Sequence, residues 1–137
     1  MADVTVKRLD EMETTFGGAM YRARASLDAS AFGMQVIEMS PGADWYPDHN
    51  HTGEPVEDGQ EEVYTPLSGS ATLIAGEERF ELEPGTFARV GAAQKRKLVP
   101  GDEGARMLCL GATPGEAYEP PEFTKLGAPE PQPPDQQ

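Results

Sequence analysis

Two histidines and one glutamate have the types and spacing that metal chemistry requires. His49 and His51 are the only histidines of the chain, and in an extended segment residues two apart present their side chains on one face. Glu62 follows at the start of the strand-like run EVYTPL, in which Glu62 and Tyr64 share a face. If the two segments pair in one sheet, two imidazoles and a carboxylate converge. This ligand set suits one divalent transition metal: iron, manganese, nickel, zinc or copper.

Two histidines and one carboxylate leave coordination positions open on a bound ion. Such a centre would act as a Lewis acid or, with ferrous iron, would bind oxygen. The same spacing also suits two solvated histidines at a strand end among acidic neighbours, so the pattern alone leaves both interpretations open. The chain has no P-loop and no dinucleotide-binding fingerprint.

The elements that must position these residues are predicted to be short strands. The 13 prolines and 15 glycines among 137 residues leave little room for long helices, and the length fits one domain with one core. Apolar and β-branched runs bounded by turn residues predict strands at residues 4–9, 20–27, 32–39, 62–67, 71–75, 79–82, 87–90, 95–99 and 106–110. We therefore expect an all-β, antiparallel barrel or sandwich.

The net charge argues against polyanionic partners. With 24 acidic and 11 basic residues the chain carries a formal charge of −13, which repels nucleic acid and anionic membranes. We expect a small-molecule ligand, with no nucleic acid and no membrane as partner.

Cysteine content and apolar runs predict the compartment. Cys109 is the single cysteine and lies in the apolar run MLCL, so we expect a buried, inert thiol and no intramolecular disulfide. The N-terminal residues have no apolar core of a secretory signal, and no run of apolar residues is long enough to span a membrane. These features predict a cytoplasmic protein.

One stretch, GADWYPDHNHTGEPVEDGQEEVYTPLSG, resembles the first motif of the cupin superfamily. The matching positions are Gly42, His49, His51, Glu62 and Gly69. The resemblance covers roughly residues 30 to 118 and points to small single-domain bacterial cupins. It implies an antiparallel jelly-roll barrel, also called a double-stranded β-helix, with His49, His51 and Glu62 as metal ligands.

The chain departs from the cupin pattern at two places. Residues 53–61 form a longer acidic loop than the family usually has, and this loop is either a lid over the pocket or a tolerated surface insertion. The second motif resembles GTFARVGAAQKRKLV, in which Arg96 stands where the family has a third histidine. Arginine stays protonated and cannot ligate a metal.

Strand alternation predicts that Arg96 and Leu98 face inward while Lys95 and Lys97 face solvent. Two roles remain open for an inward Arg96. It binds the acidic group of a ligand, with Tyr64 helping to orient that ligand, or it neutralises Glu62 as a structural pair.

These patterns lead to one expected organisation and two expected functions. Residues 1–28 would pack on the barrel or on a dimer partner, residues 29–118 would form the barrel, and residues 119–137 would be a largely disordered tail rich in proline and acid. The protein would be a homodimer. It would be either a metal-dependent oxygenase or isomerase for a small polar or anionic substrate, or a metal-free binding or structural cupin in which Arg96 pairs with Glu62.

Overall fold

The computed structural model describes residues 2–53 and 59–131. The strands are β1 (Thr14–Thr15), β2 (Met20–Tyr21), β3 (Gly33–Met39), β4 (Glu61–Ala75), β5 (Glu78–Leu82), β6 (Ala88–Val90) and β7 (Lys97–Ala112). One α-helix, α1 (Ala23–Leu27), lies between β2 and β3, and single 3-10 turns occur at Leu9–Glu11, Phe16–Gly18 and Glu122–Thr124. Within these ranges no helix has the length and apolar character needed to cross a membrane.

The strands form one antiparallel sheet in the order β1-β2-β3-β7-β4-β5, and β6 also pairs with β4. Among the strands of the described residues, hydrogen bonds do not close the sheet into a full barrel, which is compatible with a jelly roll. The predicted all-β, antiparallel class is confirmed.

The long strands β4 and β7 form the centre of the sheet and are bent by two register shifts, at residues 66–68 and 69–71. Gly69 lies at the second shift with a φ of +69°, and a Cβ atom there would come within 2.2 Å of the Gly104 carbonyl oxygen. Only glycine combines this backbone conformation with so close an approach. The motif glycine therefore lets the strand bend without breaking.

Two predicted strand boundaries were wrong because of these bends. Residues 62–67 and 71–75 belong to the single strand β4, and residues 97–99 and 106–110 belong to the single strand β7. Serine, glycine and proline between them were interpreted as turns. They form bulges instead, because the neighbouring strand continues to supply hydrogen-bond partners on both sides of the irregularity.

The N-terminal predictions also need correction. Residues 4–9 form no strand, and Val4 and Val6 are 71% and 83% exposed. In the part of the chain that the structure describes, this segment has no strand partner that would bury its apolar side. Of residues 20–27, only Met20–Tyr21 are β, because the run Ala-Arg-Ala-Ser-Leu forms α1, which Asp28 ends in the left-handed conformation.

The core lies on the inner face of the sheet, where alternate residues of β4 and β7 are buried. Its members are Met20, Ile37, Met39, Tyr46, Tyr64, Ala71, Leu73, Leu82, Val90, Leu98, Ala105, Met107 and Cys109. Two of these, Tyr64 and Cys109, have polar groups directed at the candidate site.

The segment at residues 119–131 packs against the N-terminal residues. Buried Arg22 donates from Nε to the Phe123 carbonyl at 2.9 Å and from Nη2 to the Ala128 carbonyl at 2.8 Å. Arg22 also pairs with Glu13, which accepts a hydrogen bond from the Gly127 amide at 2.8 Å. The disorder predicted for the tail remains a prediction, and residues 132–137 lie outside the described part.

Candidate metal centre

A short backbone pairing brings the histidine pair to the residues just before β7, among them Arg96. The His49 amide donates to the Arg96 carbonyl at 2.9 Å, and the Arg96 amide donates back to His49 at 2.8 Å. The His51 amide donates to the Ala92 carbonyl at 2.8 Å. Because directly paired residues of antiparallel segments share a face, the His49 and Arg96 side chains lie on the same side.

Glu62 reaches the same interior from β4. It lies opposite Val90 of β6 and Gly111 of β7, so its strand has hydrogen-bonded neighbours on both sides. The side chain is inward, and Glu62 is 6% exposed. The shared face predicted for Glu62 and Tyr64 is confirmed, because both side chains are buried on the inner side of β4.

The three predicted metal ligands come together. One donor atom from each of His49, His51 and Glu62 lies within 4.8 Å of the others. His51 Nε2 is 2.8 Å and His49 Nε2 is 3.9 Å from Glu62 Oε1. His51 and Glu62 are buried while His49 is partly exposed, so the group faces solvent on the His49 side.

A backbone carbonyl orients His49. Its Nδ1 lies 2.9 Å from the Pro47 carbonyl oxygen and donates a hydrogen bond to it, which leaves Nε2, the nitrogen that faces Glu62, as the atom that would bind a metal ion once it has lost its proton. The pKa of His49 is raised. Burial lowers it, but the interactions with the Glu62 carboxylate and the Pro47 carbonyl outweigh burial.

The Glu62 carboxylate is held by further donors. Tyr64 donates its hydroxyl proton to Oε1 at 2.6 Å, and the Cys109 thiol donates to Oε2 at 3.2 Å. Burial raises the pKa of Glu62, yet the interactions with His49 and His51 are stronger in sum and hold it well below its usual range. Glu62 is therefore an anion in a buried site, which is the state that a metal ligand requires.

Two tyrosines complete this network. The hydroxyl oxygens of Tyr46 and Tyr64 lie 3.1 Å apart. Burial, followed by the neighbouring Cys109 and Glu62, raises the pKa of Tyr46 well above its ordinary value, and burial likewise raises that of Tyr64. Both hydroxyls therefore stay protonated and neutral. The Tyr64 proton is directed at Glu62, so its clearest role is to orient that carboxylate.

Arg96 lies beside the triad and is fully buried. Its Nη2 donates to the Gly91 carbonyl at 3.0 Å and lies 4.0 Å from Glu62 Oε1. Within residues 2–53 and 59–131, Nε and Nη1 have no hydrogen-bond acceptor. The predicted alternation is confirmed, because Arg96 and Leu98 are buried whereas Lys95 and Lys97 are more exposed.

The donor set fits a first-row divalent ion. Two imidazole nitrogens and one carboxylate oxygen are ligand types that such ions take in proteins, and the three donor atoms lie within 4.8 Å of one another. Donor atoms about 2.1 Å from one ion are about 3 to 3.5 Å apart, so the three side chains would have to draw closer together when an ion binds.

Two site residues were not assigned to the site from the sequence. Cys109 was expected to be inert, but it lies opposite Tyr64 in the register of β4 and β7 and reaches Glu62. Tyr46 is a core residue that contacts the network, whereas Trp45 is 47% exposed.

Residues 53–61 were predicted to form a lid or a surface insertion, but residues 54–58 lie outside the described part of the chain. At the end of this loop, the Gly59 amide donates to the His51 carbonyl at 2.6 Å, so the loop leaves and rejoins the described structure beside a candidate ligand. The lid stays a prediction.

No family model and no curated protein matches this sequence. Solved structures do match. A cupin protein from Bacteroides fragilis has a TM-score of 0.61 at 21% identity, over 87% of this chain and 93% of its own. A sugar phosphate isomerase of the cupin superfamily from Silicibacter pomeroyi has a TM-score of 0.63 at 20% identity, over 78% of this chain and 74% of its own.

The DMSP lyase DddQ from Ruegeria pomeroyi also matches, with a TM-score of 0.52 at 23% identity over 66% of this chain, which spans only 42% of the lyase. Identities at this level establish the fold alone. The chain has the fold of the bacterial cupins, as the two sequence motifs indicate.

Proposed function

We propose that this cupin-fold chain is a metal-dependent enzyme for a small polar or anionic substrate. His49, His51 and Glu62 would hold one divalent transition metal. The observation that carries the proposal is the convergence of these three side chains, two of them buried, with donor atoms within 4.8 Å of one another.

The surrounding residues then have separate tasks. A bound ion would supply Lewis acidity at its open coordination positions. Tyr64 and Cys109 hold the two oxygens of the Glu62 carboxylate and so fix its orientation. Arg96 binds the acidic group of the substrate, and the partly exposed His49 marks the side from which the substrate enters.

Two reaction classes suit this arrangement. Isomerisation needs only Lewis acidity and proton movement, whereas oxygenation needs ferrous iron and consumes oxygen. The fold does not decide between them, because structural neighbours are named as an isomerase and as a lyase. Oxygen uptake by the iron-loaded protein would separate the two classes.

Metal content tests the proposal directly. Protein purified without a histidine tag should contain or take up one divalent ion per chain, and His49→Ala and Glu62→Ala should each lose it. Glu61→Ala is the matched control, because Glu61 is adjacent in sequence but pairs with Arg89 at the surface. The proposal is wrong if the wild type binds no transition metal, or if Glu61→Ala and Glu62→Ala retain equal amounts.

The second candidate is a metal-free binding or structural protein, and the 4.0 Å separation between Arg96 Nη2 and Glu62 Oε1 favours it. In that case Arg96 already neutralises Glu62. A wild-type protein that stays metal-free, and that is destabilised by Arg96→Gln much more than by Arg89→Gln, would support this alternative.

A further inference from the structure

We infer that a metal ion and an anionic group bind this centre together, and that Arg96 couples them. The inference rests on the proposed function, because it concerns the second ligand of the same site. It narrows the ligand class to molecules that carry a carboxylate or a phosphate.

Arg96 has hydrogen-bonding capacity that no described residue uses. The guanidinium is fully buried and satisfies Nη2 with the Gly91 carbonyl, while Nε and Nη1 have no acceptor in the described ranges. Buried donors in native proteins are nearly always paired. Two unpaired donors on one buried cation therefore indicate a place for an oxygen-rich acceptor.

The polar groups near Arg96 already form hydrogen bonds with one another. Tyr64 and Cys109 both donate to Glu62, and the Tyr46 hydroxyl lies against that of Tyr64. None of these contacts satisfies Arg96. Because residues 2–53 and 59–131 supply no acceptor for Nε and Nη1, we assign that role to a molecule that enters the site.

The buried charges at the site are balanced before any ion binds. Across residues 2–53 and 59–131, Glu62 is the only buried carboxylate, and its charge is matched by Arg96 at 4.0 Å. A divalent ion would add two positive charges beside this pair. Uncompensated charge away from water is strongly unfavourable, so an anion that contacts Arg96 would strengthen metal binding.

Thermodynamic linkage makes this coupling reciprocal and measurable. If the anion raises metal affinity by some factor, the metal raises anion affinity by the same factor. We expect a coupling of roughly tenfold or more, within the usual range for linked sites.

The experiment measures Co²⁺ affinity from the absorption of the bound ion. Acetate or sulfate is the probe anion, and perchlorate balances the ionic strength. For the wild type, the apparent Kd for Co²⁺ should fall about tenfold when acetate or sulfate replaces perchlorate. Arg96→Gln should bind Co²⁺ more tightly than the wild type in perchlorate and should show no anion effect. The matched control Arg89→Gln removes an exposed arginine and should respond as the wild type does.

A second measurement avoids dependence on a variant that does not fold. With the wild type alone, acetate affinity measured with and without Co²⁺ should change by the same factor as Co²⁺ affinity does. If Co²⁺ binds equally well in all anions, the coupling is wrong and the proposed metal site stands. If Co²⁺ binds under no condition, the proposed function fails, and this inference fails with it.

Discussion

At the residue scale, the chemistry of this protein depends on how one carboxylate is held. Glu62 accepts hydrogen bonds from Tyr64 and Cys109 and also faces the two histidines and Arg96. A buried carboxylate with donors on both oxygens has little rotational freedom. Its orientation is therefore constrained before an ion binds, and the three donor atoms would then have to draw together around the ion.

Tyr64→Phe tests this preorganisation. The change removes the 2.6 Å hydrogen bond to Glu62 and the contact with Tyr46 while it keeps the aromatic ring in the core. Loss of a group that orients a ligand typically weakens metal binding by about 10- to 100-fold, and we expect a loss in that range. Titration with Co²⁺ measures it.

The control for this variant is Tyr21→Phe, which lies in β2 and should bind Co²⁺ as the wild type does. Equal affinities for Tyr64→Phe and the wild type would show that Tyr64 does not orient the ligand.

At the element scale, β4 and β7 are bent long strands, and the bend depends on glycine. Gly69 and Gly76 both have positive φ values, +69° and +62°, but a Cβ at Gly69 would meet the Gly104 carbonyl at 2.2 Å whereas nothing lies within 4 Å at Gly76. Substitutions at Gly76 and Gly69 therefore distinguish the free-energy cost of the left-handed backbone conformation alone from the added cost of a steric clash.

Gly76→Ala should reduce the free energy of unfolding by about 1 kcal/mol, the cost of placing a side chain in the left-handed region. Gly69→Ala should cost at least about 2 kcal/mol more, because backbone must move to admit the methyl group. Urea unfolding of the two variants gives the difference. Similar losses would mean that the β4 bend relaxes easily.

The contact between the N-terminal residues and the segment at residues 119–131 should respond to acid. The Gly127 amide, followed by Arg22, lowers the pKa of Glu13, so ionised Glu13 stabilises the folded contact. That contribution is fully present above the unfolded glutamate pKa of about 4.3 and is lost as pH falls through the lower folded pKa.

We therefore expect the protection of the Gly127 amide against hydrogen exchange to decrease in this acidic window. In Glu13→Gln the side chain cannot ionise, so its protection should not depend on pH in the same range. A parallel decrease in both proteins would show that another group controls the contact.

Sequence patterns within one element predict which way side chains face better than they predict how two strands pair. The alternation of Lys95, Arg96, Lys97 and Leu98 predicts which side chains face inward, and the spacing of the histidines predicts their shared face. The register of β4 on β7 depends on contacts between distant residues, so local patterns could not show that Cys109 would reach Glu62. The bulges were missed for the same reason.

At the scale of the whole molecule, the exposed N-terminal segment predicts self-association. Val4 and Val6 are among the most exposed apolar side chains, and in the described chain their segment joins no strand. Burying both against a second copy would remove apolar surface from water. We therefore predict a homodimer in which this segment takes part.

Light scattering tests the dimer. The wild type should have twice the mass of one chain, and a Val4→Ser/Val6→Ser double variant should shift toward the monomer mass. Lys7→Ser is the matched control within the same segment and should remain dimeric. A monomeric wild type excludes the dimer, and a dimeric double variant excludes this segment from its interface.

The hydrogen bonds of Arg22 also constrain the order in which the protein can fold during synthesis. Their acceptors, the Phe123 and Ala128 carbonyls, are 101 and 106 residues further along the chain. The Nε and Nη2 donors of Arg22 therefore have no native acceptors until residues 123 and 128 have left the ribosome. Because β3 also needs β7 as its hydrogen-bonded neighbour, residues 13–39 cannot complete their native contacts until β7 and residues 123–128 have been synthesised.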